Sequence, residues 1–478
     1  MRTISSNNND IFSFLLVSTI GVMLTVLMNY LIVIPLLLFI LYYLSTINKK
    51  KTLLWVVIVT LFTLVGELNP SLRLAVQLLD ITILSYLFLS EYGLAFKDYP
   101  KIPRWFIPFI VIYFIAFILS ILMSSYPFTG IGYFVRQTVF FVIVYLLYAL
   151  IKDEKDIKNY FSALIFAAFV MASSSIFTFI FNSSSFFDFA SGNRDRIAGI
   201  ISNPNNIANF YLVSFPFLII SILLRKKIFS SKLSWFLIAF FTFALILTIS
   251  RSAIMGIIIS TLIILYFLKK KYFSYIIIFS VILILLVFIN DSLYNYLSLF
   301  FRLERGVTGR DYLWELSLNI IKDNPIFGLG PGGYKYEMFN YLPVKMESWI
   351  GGLFIRNYVI TDGANLSHNY FLFLFSELGI LGFIVSIYLP FLFIKFFKLI
   401  KQIKDKQSET FYIIIALLSI GISEFIRGIV ESIGMLYFGA ITADLPFWLV
   451  FISLTFYLET MFKNSKYDLK QNHDSMAE

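Results

Sequence analysis

HNYFLFLFSELGILGFIVSIYLPFLFIKFFK, residues 368–398, decides what kind of protein this is. From Asn369 to Ile394 it carries a single charge, Glu377, and it closes on Lys395 and Lys398. A membrane-spanning helix needs roughly 20 mostly apolar residues. This stretch exceeds that length and places its cations at one end. The rest of the chain repeats the pattern. Of 478 residues, 59% are hydrophobic and 14% are charged, whereas soluble domains carry about 25% charged residues. One water-soluble core cannot hide that much apolar surface, so it must face lipid. The 55 Phe and 29 Tyr residues suit helices in hydrocarbon with rings at the interfaces.

The same criterion predicts spans near residues 11–28, 30–47, 52–67, 72–90, 105–122, 133–151 and 160–181, then 206–224, 233–249, 252–268, 272–290, 369–394, 410–428 and 444–462. The expected fold is therefore an all-α polytopic membrane helix bundle of about 14 spans. Asn29 is a weak break and 52–67 is short, so 12 is the lower bound on that count. The bundle is read as one integral membrane domain, residues 1–478. The N-terminal MRTISSNNND has one basic residue and no small-residue cleavage site after it. The first apolar segment is therefore read as a retained anchor.

Loop charges orient the bundle. Lys49–Lys51 follow the second span, and each later even-numbered loop is again basic, ending with Lys395 to Lys406 and a tail, 463–478, carrying Lys463, Lys466 and Lys470. Cytoplasmic loops collect Lys and Arg, so both termini are expected in the cytoplasm. This bias also accounts for the net charge of +10 without a nucleic-acid partner. On this map 22 Lys and 3 Arg (Arg2, Arg104, Arg225) face the cytoplasm, and 10 Arg and 3 Lys (Lys322, Lys335, Lys345) face outside. Arginine's planar fork matches phosphate and carboxylate oxygens two at a time. The outer face therefore reads as an anion-binding surface. Its competitor is arginine snorkelling at the interface.

One outer loop is long, Asp291 to Ser367, and loops of that length usually carry function. Within it, RDYLWELSLNIIKDN (310–324) sets Leu313, Leu316 and Ile320 on one face, flanked by Trp314 and Leu318. That spacing predicts a short amphipathic helix lying on the membrane surface, ended by Asn324-Pro325. PIFGLGPGGY (325–334) then supplies four glycines, which permit sharp turns and a close approach of backbone amides to a ligand.

Candidate chemistry gathers on the same side. His368 is the one histidine besides His473, and imidazole suits proton transfer near neutral pH. The bland alternative is a hydrogen-bonded interface residue. Arg251, in Ser250-Arg251-Ser252, lies close to hydrocarbon depth, where it needs either an ion-pair partner or an anionic ligand. Arg310 reads as an anion ligand or as a partner of Asp311 or Glu315. Arg136, Arg194, Arg196, Asn205, Tyr334 and Glu377 are candidate substrate-binding residues. Glu424, Arg427 and Glu431, spaced three and four apart, read as a local ion-pair ladder. With no cysteine and two histidines, disulfides and thiolate or histidine-rich metal sites are excluded. No Asp-x-Asp supports a metal-bridged nucleotide-sugar site, and no Gly-x-Ser-x-Gly supports a serine nucleophile.

RIAGIISNPNNIANF (196–210), SRSAIMG (250–256), GRDYLWELSLNIIKDNPIFGLGPGGY (309–334) and SHNYFLFLFSELGILG (367–382) occur in that order. This series resembles the O-antigen ligase and polysaccharide polymerase superfamily of bacterial envelope proteins. The first third of the chain is similar only in hydropathy. The resemblance implies a multi-pass inner-membrane glycosyltransferase that uses no metal or other cofactor. Its donor would be an oligosaccharide on undecaprenyl diphosphate. Transfer to a hydroxyl would occur outside the cytoplasm, with inversion at the anomeric carbon. The family's key arginines and histidine correspond to Arg251, Arg310 and His368. The lean towards Ile, Phe, Lys and Asn resembles low-GC bacteria, many of which lack lipopolysaccharide. The first expectation is therefore a polymerase of capsule, exopolysaccharide, O-antigen or teichuronic-type polymer, with a chain-length regulator as a candidate partner. The second is a ligase passing finished glycan to a lipid or protein. The third is a lipid-linked oligosaccharide flippase, which would line a central cavity with charge.

Overall fold

A computed structural model describes residues 54–55, 57–59, 61, 70–181, 183–186, 196–197, 199, 203–224, 229–301, 310–342, 366–403 and 405–474. The described elements are helical. Apart from one four-residue turn and two 3-10 turns, in chain order they are α1 (Pro70–Tyr92), α2 (Ile107–Met123), α3 (Pro127–Ala149), α4 (Glu154–Phe181), α5 (Pro204–Leu223), α6 (Ser231–Thr248) and α7 (Arg251–Leu268). They continue with α8 (Lys270–Ile289), α9 (Asp291–Phe301), α10 (Arg310–Asp323), α11 (Gly333–Glu337), α12 (Tyr370–Ile400), α13 (Glu409–Gly428) and α14 (Ile441–Asp474). Among the described residues, nine helices are long and apolar enough to cross a membrane: α3 to α8 and α12 to α14. The shorter apolar helix α2 covers the span expected at 105–122, and α1 covers 72–90 without being among the nine. The spans expected at 11–28 and 30–47 lie outside the described residues, and 52–67 is described only in part. α14 runs to Asp474, through most of the segment expected as a tail.

The chain forms two compact units. The first, Met1–Gly93 with Asp153–Ser250, is built on α4, α5 and α6, which pack on one another. Small side chains make this approach possible. Ala163, Ala167, Ala168, Ala172 and Ser173 to Ser175 on α4 are buried, and the three serine hydroxyls bond back to α4 carbonyls. Phe161 stacks on Phe217 with ring centroids 4.0 Å apart. In membranes, where lipid is as apolar as leucine, such close packing carries helix association.

The second unit is Leu94–Lys152 with Arg251–Glu478. Here α7 lies along α13, and α12 packs on α2 and α13. At Gly421 any Cβ would stand 1.8 Å from the Phe393 ring, so glycine sets how closely α12 and α13 approach. Trp448 is fully buried among Phe106, Phe109, Phe141 and Phe451, and its indole donates to Met435 O at 2.7 Å.

α12 holds the long span that the hydropathy indicates, but it is not continuous. Gly379 sits at φ 68°, ψ −157°, a break inside the helix. A broken helix in a membrane must have its backbone groups satisfied by protein. The segment 325–330 does this: Leu329 N donates to Ser376 O, Gly330 N to Glu377 O, and Ile380 N to Pro325 O, at 2.9–3.0 Å. The two chains come so close that a Cβ at Gly379 would lie 2.1 Å from Ile326 O.

The described parts of the segment 291–367 contain the helices α9, α10 and α11. α10 appears where the 310–324 pattern places it, but the surface-lying expectation is corrected. Leu313, Leu316 and Ile320 are fully buried against Tyr334 and Met338, and α10 packs on α12. The apolar stripe faces protein rather than lipid.

Candidate functional site

The site centres on the loop 429–440 between α13 and α14, IVESIGMLYFGA. Side chains from several elements hold its backbone. Arg427 Nη2 donates to Ile433 O at 2.7 Å. The buried Asp444 carboxylate accepts from Gly434 N at 3.3 Å and Tyr437 N at 2.6 Å. Trp448 holds Met435, and Arg136 donates to Phe438 O and Tyr437 O at 2.5 and 3.2 Å. The buried polar groups of the loop backbone are thus paired within the protein, and Glu431 projects from it.

Glu431 is 2% exposed. Its Oε1 is 2.9 Å from His368 Nδ1 and its Oε2 is 3.2 Å from Arg310 Nη2. Burial raises the cost of ionising it, but the charges of His368, Arg310 and Arg427 and the His368 hydrogen bond outweigh that cost and hold its pKa down at about 2. It is therefore a carboxylate at any physiological pH. An ionised carboxylate only accepts, so it selects the imidazole tautomer protonated on Nδ1 and leaves the lone pair on Nε2. The ladder expected from the spacing is corrected here. Glu424 and Arg427 do pair, at 2.9 Å, but α13 ends at Gly428 and Glu431 turns away to His368 and Arg310.

His368 is held from three sides. Trp314 of α10 donates to its carbonyl at 3.4 Å. Asn369 caps α12 by accepting from Phe371 N and Leu372 N, and it ties to the loop through Ile429 O and Ser432 Oγ, both at 2.9 Å. The histidine itself adopts φ 48°. A side-chain-bearing residue in that region costs of order 1–3 kcal/mol, and such strain persists only where the surroundings over-determine it.

Arg310 opens α10, and its contacts with Val430 O and Glu431 use two of the five N–H donors a guanidinium carries. The expected partners Asp311 and Glu315 are not the ones it takes. Arg251 opens α7 in the same unit, half-buried and close enough to Arg310 for the two charges to interact. Two cations, one carboxylate and an imidazole thus share one region.

Other candidates are placed elsewhere. Tyr334 is fully buried, its hydroxyl 3.2 Å from Leu313 O and from Ser317 Oγ. Glu377 is buried and accepts from the amides of Gly332, Gly333 and Tyr334. The glycine-loop amides thus close on a side-chain carboxyl of the protein itself, which corrects their reading as ligand donors. Arg136 is committed to the loop and to the Tyr133 ring, 4.7 Å away. In the first unit, Arg196 donates to Thr248 O at 2.8 Å and to Asn205 Oδ1 at 2.6 Å, and Ser250 Oγ donates to the same oxygen at 3.0 Å. Arg196 and Asn205 therefore brace the turn after α6, where Ile249 takes φ 48°. Arg194 lies outside the described residues. Among the described residues, no group of His, Asp and Glu is placed to hold a metal ion.

Residues 236–387 match the family model described as O-antigen ligase. The chain is also 28% identical over 332 residues to a ComP-specific O-oligosaccharyltransferase of Acinetobacter baylyi (strain ATCC 33305 / BD413 / ADP1). That alignment covers 64% of this chain and 56% of the relative, so the chain spans little more than half of that protein's length. Both findings support the resemblance to the O-antigen ligase superfamily. The family match contains Arg251 and Arg310 and runs through His368, but it ends before Glu431.

Proposed function

We propose that this chain transfers an oligosaccharide from a polyprenyl diphosphate to an acceptor hydroxyl, outside the cytoplasm, as a ligase-type oligosaccharyltransferase. The observation that carries the proposal is the junction of His368 and Arg310 on one buried carboxylate, Glu431.

In this reading Nε2 of His368 takes the proton of the acceptor hydroxyl. The oxygen attacks the anomeric carbon as the carbon–oxygen bond to the diphosphate breaks. The bonding pair leaves with the diphosphate, and a single displacement inverts the anomeric centre. A diphosphate is a good leaving group and needs positive charge rather than a proton. Arg251 and Arg310 supply it, and each donor of this kind typically contributes about 3–4 kcal/mol. Glu431 stabilises the imidazolium that forms. The lipid donor arrives within the bilayer, so a site at the ends of membrane-spanning helices is where its diphosphate is accessible.

The polymerase reading stood first on composition, and the comparisons favour the ligase-type alternative. The matched family is described by ligation, and the relative is named for transfer to a particular acceptor. Neither finding points to a chain-length regulator, to capsule or to exopolysaccharide. A flippase would line a cavity with charge, whereas the buried Glu377, Glu424 and Asp444 are engaged by backbone amides or by Arg427.

The test uses purified protein in detergent with a lipid-linked oligosaccharide. Transfer to an added acceptor, with no ladder on the lipid when the acceptor is omitted, is the expected result. It should vanish in Arg251→Ala and His368→Ala while the protein remains folded. A ladder without acceptor would restore the polymerase. Normal transfer by both variants would remove the mechanism.

A further inference from the structure

The geometry points to a sugar-binding platform made by Tyr126, Tyr336, Glu337 and Asn340, beside the reacting centre and separate from it. The inference rests on the transferase reading and adds where a ring of the glycan is held.

Tyr126 lies just before α3, and Tyr336 is on α11. Their rings stack at 4.6 Å between centroids with a 24° interplanar angle. Tyr336 remains 47% exposed, so the stack presents an aromatic surface outward. Beside it, Glu337 accepts from the Tyr126 hydroxyl at 3.0 Å on Oε1 and from Asn340 Nδ2 at 2.6 Å on Oε2. Each carboxylate oxygen has a second lone pair to offer, and Asn340 is itself exposed. A fixed aromatic face next to a carboxylate and a carboxamide matches a sugar ring: its C–H face packs on the aromatic surface and its neighbouring hydroxyls pair with the polar groups. A tyrosine that merely marks the bilayer interface turns its hydroxyl to headgroups. Tyr126 instead spends its hydroxyl on Glu337, which orients the carboxylate.

The platform is tied to the site. Tyr334, at the start of α11, bonds Leu313 O, one turn along α10 from Arg310. At helical rise this puts Tyr336 and Glu337 on the order of 10–15 Å from Arg310. A glycan whose reacting end lies at His368 and Arg310 would reach the platform with a ring farther along its chain. That ring belongs either to the donor glycan or to a glycan acceptor, and the chemistry of recognition is the same.

The probe is the lipid-free oligosaccharide released by mild acid from the host's own lipid-linked glycan. It is titrated into full-length protein in detergent and followed by saturation-transfer NMR. Wild type and His368→Ala should bind it alike. Tyr336→Ala and Glu337→Gln should weaken binding by about tenfold, a loss on the scale of one aromatic or polar contact, and Tyr336→Trp should retain it. In the transfer assay the same two variants should raise one KM and leave kcat nearly unchanged. A raised donor KM assigns the platform to the donor glycan, and a raised acceptor KM assigns it to the acceptor. If Tyr336→Ala binds as wild type and loses only thermal stability, the pair is an interfacial anchor and the platform is overturned. Loss of the transferase reading shows separately: wild type would then fail to transfer at all, while the NMR titration still reports on the platform.

Discussion

Glu431 Oε1 and His368 Nδ1 lie 2.9 Å apart, although 63 positions separate them in the chain. The pair joins the loop after α13 to the residue that precedes the cap of α12. Arg310 closes the third side through the other carboxylate oxygen. On the transferase reading proposed above, this contact orients the histidine as the base.

Glu431→Gln should therefore cost rate rather than binding. The amide preserves shape but loses the charge that stabilises the imidazolium and selects its tautomer. A positioned base contributes typically about 10²–10⁴-fold, and kcat should fall within that range with donor KM little changed. Initial rates at varied donor concentration read this directly. Wild-type rates in the variant would show that the carboxylate only holds the fold.

The same carboxylate makes stability depend on pH. Its pKa is lowered from 4.5 to about 2 in the folded protein. A lowered carboxylate pKa stabilises the fold fully above the unfolded value, and this contribution is lost as pH falls through the folded one. The advantage in melting temperature of wild type over Glu431→Gln should be present at pH 7 and shrink as pH falls between about 4.5 and 2. Melting in detergent at pH 7, 4 and 3 checks the sign.

Gly379→Ala should be poorly tolerated although it adds only a methyl group. The position combines positive φ with a backbone oxygen 2.1 Å from the new Cβ. Its conformation is open essentially to glycine alone, at a cost of order 1–3 kcal/mol before the clash. Size-exclusion profiles after mild heating should show early loss of monodisperse protein. An unchanged profile would mean that the helix break can re-form elsewhere.

Arg196→Ala and Asn205→Ala distinguish a brace from a binding residue. Leaving buried partners unmet costs about 1–3 kcal/mol, so both should lower the melting temperature. Because Arg196 and Asn205 bond to Thr248, to Ser250 and to each other, the donor KM should stay near wild type once folded protein is counted. A KM rise without loss of stability would return them to the substrate.

The sequence by itself determined the membrane character and most of the described spans. Lipid compatibility is a property of each residue summed along a short segment, so α12 is legible from 369–394 without knowing any neighbour. It also determined the helix from Arg310 and marked Arg251, Arg310 and His368 as a set, through order and resemblance. Tertiary structure alone decided what each of these meets. The stripe of Leu313, Leu316 and Ile320 specifies an apolar partner without saying whether that partner is lipid or Tyr334 and Met338. Spacing joined Glu431 to Arg427, because helical periodicity counts neighbours only while the helix lasts, and α13 stops at Gly428. The amides of Gly332 to Tyr334 seek an acceptor, and only the fold shows that the carboxyl of Glu377 is that acceptor. Local propensity is short-ranged, whereas a side-chain contact across 63 positions exists only once the packed helices have brought its two halves together.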